Sequence, residues 1–90
     1  MNVEWDEDKR ERNIEDHGID FVRAAKIFEN PIVECLDDRK DYGEERYIAI
    51  GHWEENFLVV VYTWRGKNRR IISAWKAGRN EKRTYHESIT

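Results

Sequence analysis

The apolar positions change period along the chain. Between Trp5 and Ile19 only Ile14 is apolar, so the segment after Asp6 reads as a weakly amphipathic helix ending at His17. Asp6 is placed to cap it, with Glu7 and Asp8 in the first turn, where the helix dipole favours negative charge. Gly18 then suits a helix stop, and residues 1–5 read as a faint, short strand. Asp20 opens a second helix, in which Phe21, Ala24, Ala25 and Phe28 fall at i, i+3, i+4 and i+7 and form one apolar stripe. Asn30-Pro31 closes it, because a residue before proline avoids the helical region.

From residue 32 onward the period is two. Residues 32–36 predict a strand and 37–43 a polar loop. Arg46, Ile48 and Ile50 alternate with Tyr47, Ala49 and Gly51. Residues 57–62 are apolar on both faces, as a central strand covered on both sides must be. The connectors 54–56 and 65–68 are short enough to make antiparallel hairpins. In the strand 69–75, Ile71 and Ser73 alternate with Ile72 and Ala74, which puts Trp75 on the face of Ile71 and Ser73. After Gly78 a last helix over 80–87 sets Tyr85 and Ile89 one turn apart. The order predicts a single α+β domain over residues 1–90, with N-terminal helices packed on an antiparallel meander and a short C-terminal helix.

Ninety residues, 39% hydrophobic and 39% charged, allow one modest core under a densely charged surface. The four Trp, four Tyr and three Phe supply large burial per residue and argue against disorder. Cys35 is the only cysteine, which excludes an internal disulfide and fits a reducing compartment. No apolar run approaches the roughly 18 residues of a membrane span, and residues 1–9 lack a signal-peptide core, so a cytoplasmic protein is expected. The net charge of -3 hides an asymmetry: residues 1–45 carry 15 acids against 7 bases, residues 64–83 carry 8 bases against one acid. Such a division points to a phosphate-rich ligand, a charged partner or a solvated face.

No nucleophile triad, Gly-rich phosphate loop, paired-carboxylate motif or metal-ligand spacing stands out, and His17, His52 and His86 are far apart, so no metal or cofactor is expected. The basic stretch is the stronger lead. Arg65, Arg69 and Arg70 lie at strand ends or along a strand, Arg79 and Arg83 one helical turn apart, with Trp64, Trp75 and Tyr85 interleaved. Aromatic planes that stack bases, beside cations that hold phosphates, are the ingredients of RNA recognition. They are equally the ingredients of edge strands under a solvated face. Cutting RNA needs a 2′-hydroxyl activated and aligned, charge on the phosphorus oxygens stabilised, and the leaving 5′-oxygen protonated.

Motifs along nearly the whole chain resemble one family. Val3-Glu4-Trp5-Asp6, with Lys9 and Asn13, resembles the start of BrnT proteins. His17-Gly18-Ile19-Asp20-Phe21 is similar to their His-Gly-Ile/Val-Ser-Phe turn, with Asp20 in place of Ser. Ala24-Ala25, Ile27-Phe28 and Asn30-Pro31 follow, then Gly43-Glu44-Glu45-Arg46, Ile50-Gly51 and Val59-Val60-Val61-Tyr62-Thr63. The block Arg70-Ile71-Ile72-Ser73-Ala74, Lys76-Ala77 and Glu81-Lys82-Arg83-Thr84-Tyr85 is the most specific. The resemblance implies a RelE-like toxin fold and metal-independent RNA cleavage. It also implies a BrnA-type antitoxin with a ribbon-helix-helix region that carries the pair to its operator DNA.

On this basis Arg65, Arg70, Lys76, Arg79, Tyr85 and His17 are the expected catalytic side chains, and Arg46, Trp75, Lys82 and Arg83 the expected RNA contacts. The cations would hold phosphate, Tyr85 would stack a base or orient the scissile group, and His17 would transfer a proton or serve only its helix end. Arg46 has an alternative partner in Glu44 or Glu45. Trp75 stands where many relatives carry Arg, which keeps open a catalytically weak homologue that binds antitoxin as a corepressor, or a plain RNA-binding module.

Overall fold

The computed structural model describes residues 2–89. The chain runs β1 (Val3–Trp5), α1 (Glu7–His17), α2 (Phe21–Ala24) continuing as a 3₁₀ segment (Ala25–Glu29), β2 (Val33–Leu36), β3 (Tyr47–Trp53), β4 (Asn56–Arg65), β5 (Asn68–Lys76) and α3 (Arg79–Ile89). The strands form one sheet in the order β1-β5-β4-β3-β2. Strands β2 to β5 make the expected antiparallel meander, and β1 adds to β5 in parallel, pairing Glu4 with Arg70. Met1, part of the expected opening strand, lies outside the described residues.

Strand β4 lies at the centre, as its two apolar faces require. Leu58, Val60 and Tyr62 face α2 and the 3₁₀ segment together with Ala49, Ile71 and Ala74. Phe21, Ala24 and Ile27 cover them and are wholly buried. That spacing is three residues, the period of a 3₁₀ helix and not the 3.6 of an α-helix. The expected stripe is corrected accordingly: the α-helix stops after one turn, Ile27 enters the core, and Ala25 and Phe28 pack only partly against it. The 3₁₀ segment lies so close to β3 that a Cβ on Gly51 would meet Ile32 Cγ2 at 3.0 Å and Ile27 Cβ at 3.1 Å. Only glycine fits there without displacing the layer.

The other face carries Val59, Val61, Ser73 and Trp75. It is closed at one end by α3, whose Tyr85 ring packs edge-on against Phe57 at 5.5 Å and His52 at 5.9 Å. Toward β5 it is flanked by the loop before β3, from which Arg39 reaches over the Trp75 ring at 5.9 Å. That loop is stapled by Asp37, whose wholly buried carboxylate accepts two bonds from the Arg39 side chain and one from Tyr42. The Arg39 guanidinium holds the Asp37 carboxyl down to about 2, so the staple stays ionised over ordinary pH.

The expected strict alternation of β5 is broken. Val61 pairs with Ser73 but Tyr62 pairs with Ile71, leaving Ile72 as a bulge. Ile71 therefore turns to the helix-covered face, and Trp75 shares its face with Ser73 but not with Ile71.

Past Trp5, strand β1 no longer covers β5, and a side chain of α1 takes over that edge. Asn13 Nδ2 donates to the Ala74 carbonyl at 2.9 Å and to the Ile19 carbonyl at 2.8 Å, while the Ala74 N–H donates to Asn13 Oδ1 at 3.1 Å. The Asp6 and Asp20 caps form as expected, and Gly18 ends α1 at φ 70°. Asp20 also accepts a forked pair from Arg10, which fixes α1 against the start of α2. Replacing the buried Asn13 by Ala strands three backbone groups and is expected to cost about 2–3 kcal/mol. Thermal unfolding followed by circular dichroism should show a midpoint lower by roughly 10 °C; an unchanged midpoint would remove Asn13 as the edge clasp.

Candidate functional site

The side chains expected from sequence to bind or cut RNA do not converge on one place. Arg46 and Arg65 meet at one end of the sheet but share an acid: Arg46 Nε donates to Glu44 at 3.1 Å, and Arg65 lies 3.8 Å from the other oxygen. The Arg46 guanidinium also stacks on Tyr42 at 4.2 Å. Arg70 donates to Glu4 at 2.9 Å, across the parallel β1–β5 pair. Glu4 also accepts from Asn68, and these bonds, with that from Asn68 the larger, hold its carboxyl below the ordinary range. Three expected phosphate ligands therefore face carboxylates supplied by the acidic half.

Tyr85 is only 4% exposed and its hydroxyl donates to the Pro31 carbonyl at 2.7 Å. Its ring is enclosed by Phe57, His52 and His86. That environment gives it a packing role and no free plane for a base. His17 is exposed at the end of α1, 6.1 Å from the half-buried Trp75 ring, beside a small cavity of about 180 Å³ that Lys9, Arg12 and Ser73 also line.

Lys76 and Lys82 do come together. With Arg23 from α2 they line a cleft of about 400 Å³ between α2, the end of β4 and α3, floored by Phe57 and Leu58, with Glu55 on its wall. Lys82 lies 6.0 Å over the Phe57 ring. Among the described residues no carboxylate comes within ion-pair distance of Arg23, Lys76 or Lys82, nor of Arg79 and Arg83 on α3. Unpaired cations around a half-buried aromatic ring suit a nucleic-acid strand.

A second cluster lies at the opposite end of β4, on the helix-covered face. The Tyr62 hydroxyl donates to Glu34 Oε2 in a short hydrogen bond. Burial, reinforced by that carboxylate, raises the Tyr62 phenol to about 12, while Arg69 acts the other way. The Arg69 guanidinium lies over three rings, Phe28 at 4.3 Å, Trp64 at 4.7 Å and Tyr62 at 5.2 Å, and its Nε is buried without a hydrogen-bond partner. Of this cluster, Arg69 and Trp64 belong to the basic stretch, and the signal left unread was Glu34, an acid set in an otherwise apolar strand, Ile32-Val33-Glu34-Cys35-Leu36.

Compared with known proteins, residues 5–81 match the sequence model of the family described as ribonuclease toxin, BrnT, of type II toxin-antitoxin system. The chain belongs to the BrnT family. No curated protein matches it. The BrnT match covers both clusters except Lys82, which falls just beyond its last residue. For this BrnT chain the geometry separates side chains engaged within the fold from cations with no internal partner, and Tyr85, buried and bonded to the Pro31 carbonyl, is among the former. Tyr85→Ala is expected to lose about 3–5 kcal/mol of stability and Tyr85→Phe about 1 kcal/mol. A folded Tyr85→Phe protein should keep RNA cleavage within about threefold of the parent in single-turnover assays. Loss of cleavage in that variant, with melting unchanged, would return Tyr85 to the catalytic site.

Proposed function

We propose that this chain is the ribonuclease of a type II toxin–antitoxin pair and cleaves RNA by attack of the RNA's own 2′-hydroxyl on the adjacent phosphodiester, a route that needs no metal. The BrnT match across residues 5–81 carries this reading. The cleft of Arg23, Lys76 and Lys82 supports it with a place for the strand: cations for phosphates, Phe57 for a base. Arg79 and Arg83 extend the positive surface along α3 and guide RNA toward it. His17 is a proton-transfer candidate, and Arg46, Arg65 and Arg70 become phosphate ligands only where RNA displaces their carboxylate partners. Translation and growth stop when such a nuclease acts unchecked.

The partner is a BrnA-type ribbon-helix-helix antitoxin, which holds the toxin in a hetero-oligomer and contacts operator DNA on its behalf. The same unpaired cations are the surface for an inhibitor to cover, since an acidic segment gains most where no internal carboxylate competes. A second reading rests on Trp75, which packs beside His17 and Arg39 at a position where the resemblance implies Arg in many relatives. It makes the chain an inactive corepressor that still binds antitoxin.

Induced expression in a bacterial host, with purified protein incubated with RNA in EDTA, separates these readings. Growth arrest and cleavage are expected from the parent chain. Lys76→Glu with Lys82→Glu should weaken RNA binding at least ~10-fold and lower the salt dependence of log Kd by about two. Normal growth and intact RNA from folded protein would favour the corepressor.

A further inference from the structure

The charge of Arg69 is met by aromatic faces and by no acid. Among the described residues no carboxylate lies within 4.0 Å of it. Ring faces stabilise a guanidinium without neutralising it, and a half-buried cation short of one hydrogen-bond partner is costly to keep. Glu34, the nearby acid, is exposed on edge strand β2 and bonds to the Tyr62 hydroxyl instead. Tyr62 itself is wholly buried and braced by the Tyr47 ring stacked at 5.6 Å, by Phe28 edge-on at 5.4 Å and by Trp64 at 5.7 Å. The Tyr62 phenol thus has an unneutralised cation over its ring and a carboxylate on its hydroxyl, a pair suited to a group that needs both. A ribonucleotide linkage is such a group, with an anionic phosphate beside a hydroxyl proton.

Resting on the ribonuclease reading above, we propose that Glu34 accepts the 2′-hydroxyl proton and Arg69 holds the scissile phosphate, with Tyr62 as the positioning residue that orients Glu34. As the O2′–P bond forms, the 2′ proton passes to the Glu34 carboxylate. Arg69 faces the charge that builds on the non-bridging oxygens. The P–O5′ bond breaks, the 5′-oxygen takes a proton from water, and Glu34 returns its proton to solvent. The products are a 2′,3′-cyclic phosphate and a 5′-hydroxyl. Trp64, 45% exposed beside Arg69, offers its ring to a flanking base.

The test uses the full chain, a defined single-stranded RNA in EDTA, and its 2′-O-methyl analogue to read binding without cleavage. Glu34→Gln changes an exposed side chain and should fold; it is expected to slow single-turnover cleavage about 100-fold or more while Kd for the analogue moves less than about twofold. Arg69→Lys should slow cleavage and weaken analogue binding together. Tyr62→Phe frees the Glu34 carboxylate to turn, so single-turnover cleavage should slow by about tenfold while Kd for the analogue moves less than about twofold. A purely structural Tyr62 would lower the melting temperature and leave the cleavage rate of the folded protein unchanged, which would overturn its assigned role. Parent-rate cleavage by folded Glu34→Gln would overturn the site and leave the ribonuclease reading standing. Folded parent protein that cuts no RNA would end that reading, and this inference with it.

Discussion

Leu58, Val60 and Tyr62 point to one side of β4 and Val59, Val61 and Thr63 to the other, and all six are withdrawn from water. A strand with no polar face must be covered twice, and in a chain this short nearly every other element is spent on that cover. The α2–3₁₀ segment closes one side, α3 and the stapled loop before β3 flank the other, and α1 clasps the β5 edge through Asn13. Among the places left open are the two ends of the sheet, where β4 runs out from beneath its cover. The cleft of Arg23, Lys76 and Lys82 occupies one end, and the Arg69–Tyr62–Glu34 cluster the other.

Much of this scaffold was legible because it is written locally. Asp6, Asp20, Gly18 and Asn30-Pro31 act within a few residues of themselves and set helix ends that the structure reproduces. The two-sided apolar run of β4 announced a central strand. The failures were tertiary. Nothing local distinguishes Phe21, Ala24 and Ile27 at a spacing of three from Phe21, Ala24, Ala25 and Phe28 at helical spacing; the close approach of Gly51 decides it. The bulge at Ile72 is likewise a matter of fitting β5 to β4, and it alone moves Ile71 off the face of Trp75.

The site was harder to read for the same reason. Counting charges found the basic stretch, but sequence cannot say which cations are already answered. Glu4 and Glu44, from the acidic half, meet Arg70, Arg46 and Arg65, so part of the charge asymmetry closes within the fold. Among the described residues, the cations of the basic stretch with no carboxylate within 4.0 Å are Lys67, Arg69, Lys76, Arg79, Lys82 and Arg83, and Arg23 from α2, which was not singled out, joins them. Tyr85 looked like a base-stacking ring beside Lys82 and Arg83, yet its position on α3 turns it inward against Phe57. Arg69 looked like one more solvated cation, and is enclosed by three rings.

Attack by the substrate's own 2′-hydroxyl, the route proposed for this chain, leaves distinctive ends on the RNA. Mass spectrometry of the termini left on a defined RNA after incubation with purified protein in EDTA tests this most directly. The expected ends are 2′,3′-cyclic phosphate and 5′-hydroxyl. Ends bearing 5′-phosphate and 3′-hydroxyl, or RNA left intact by folded protein, would contradict it.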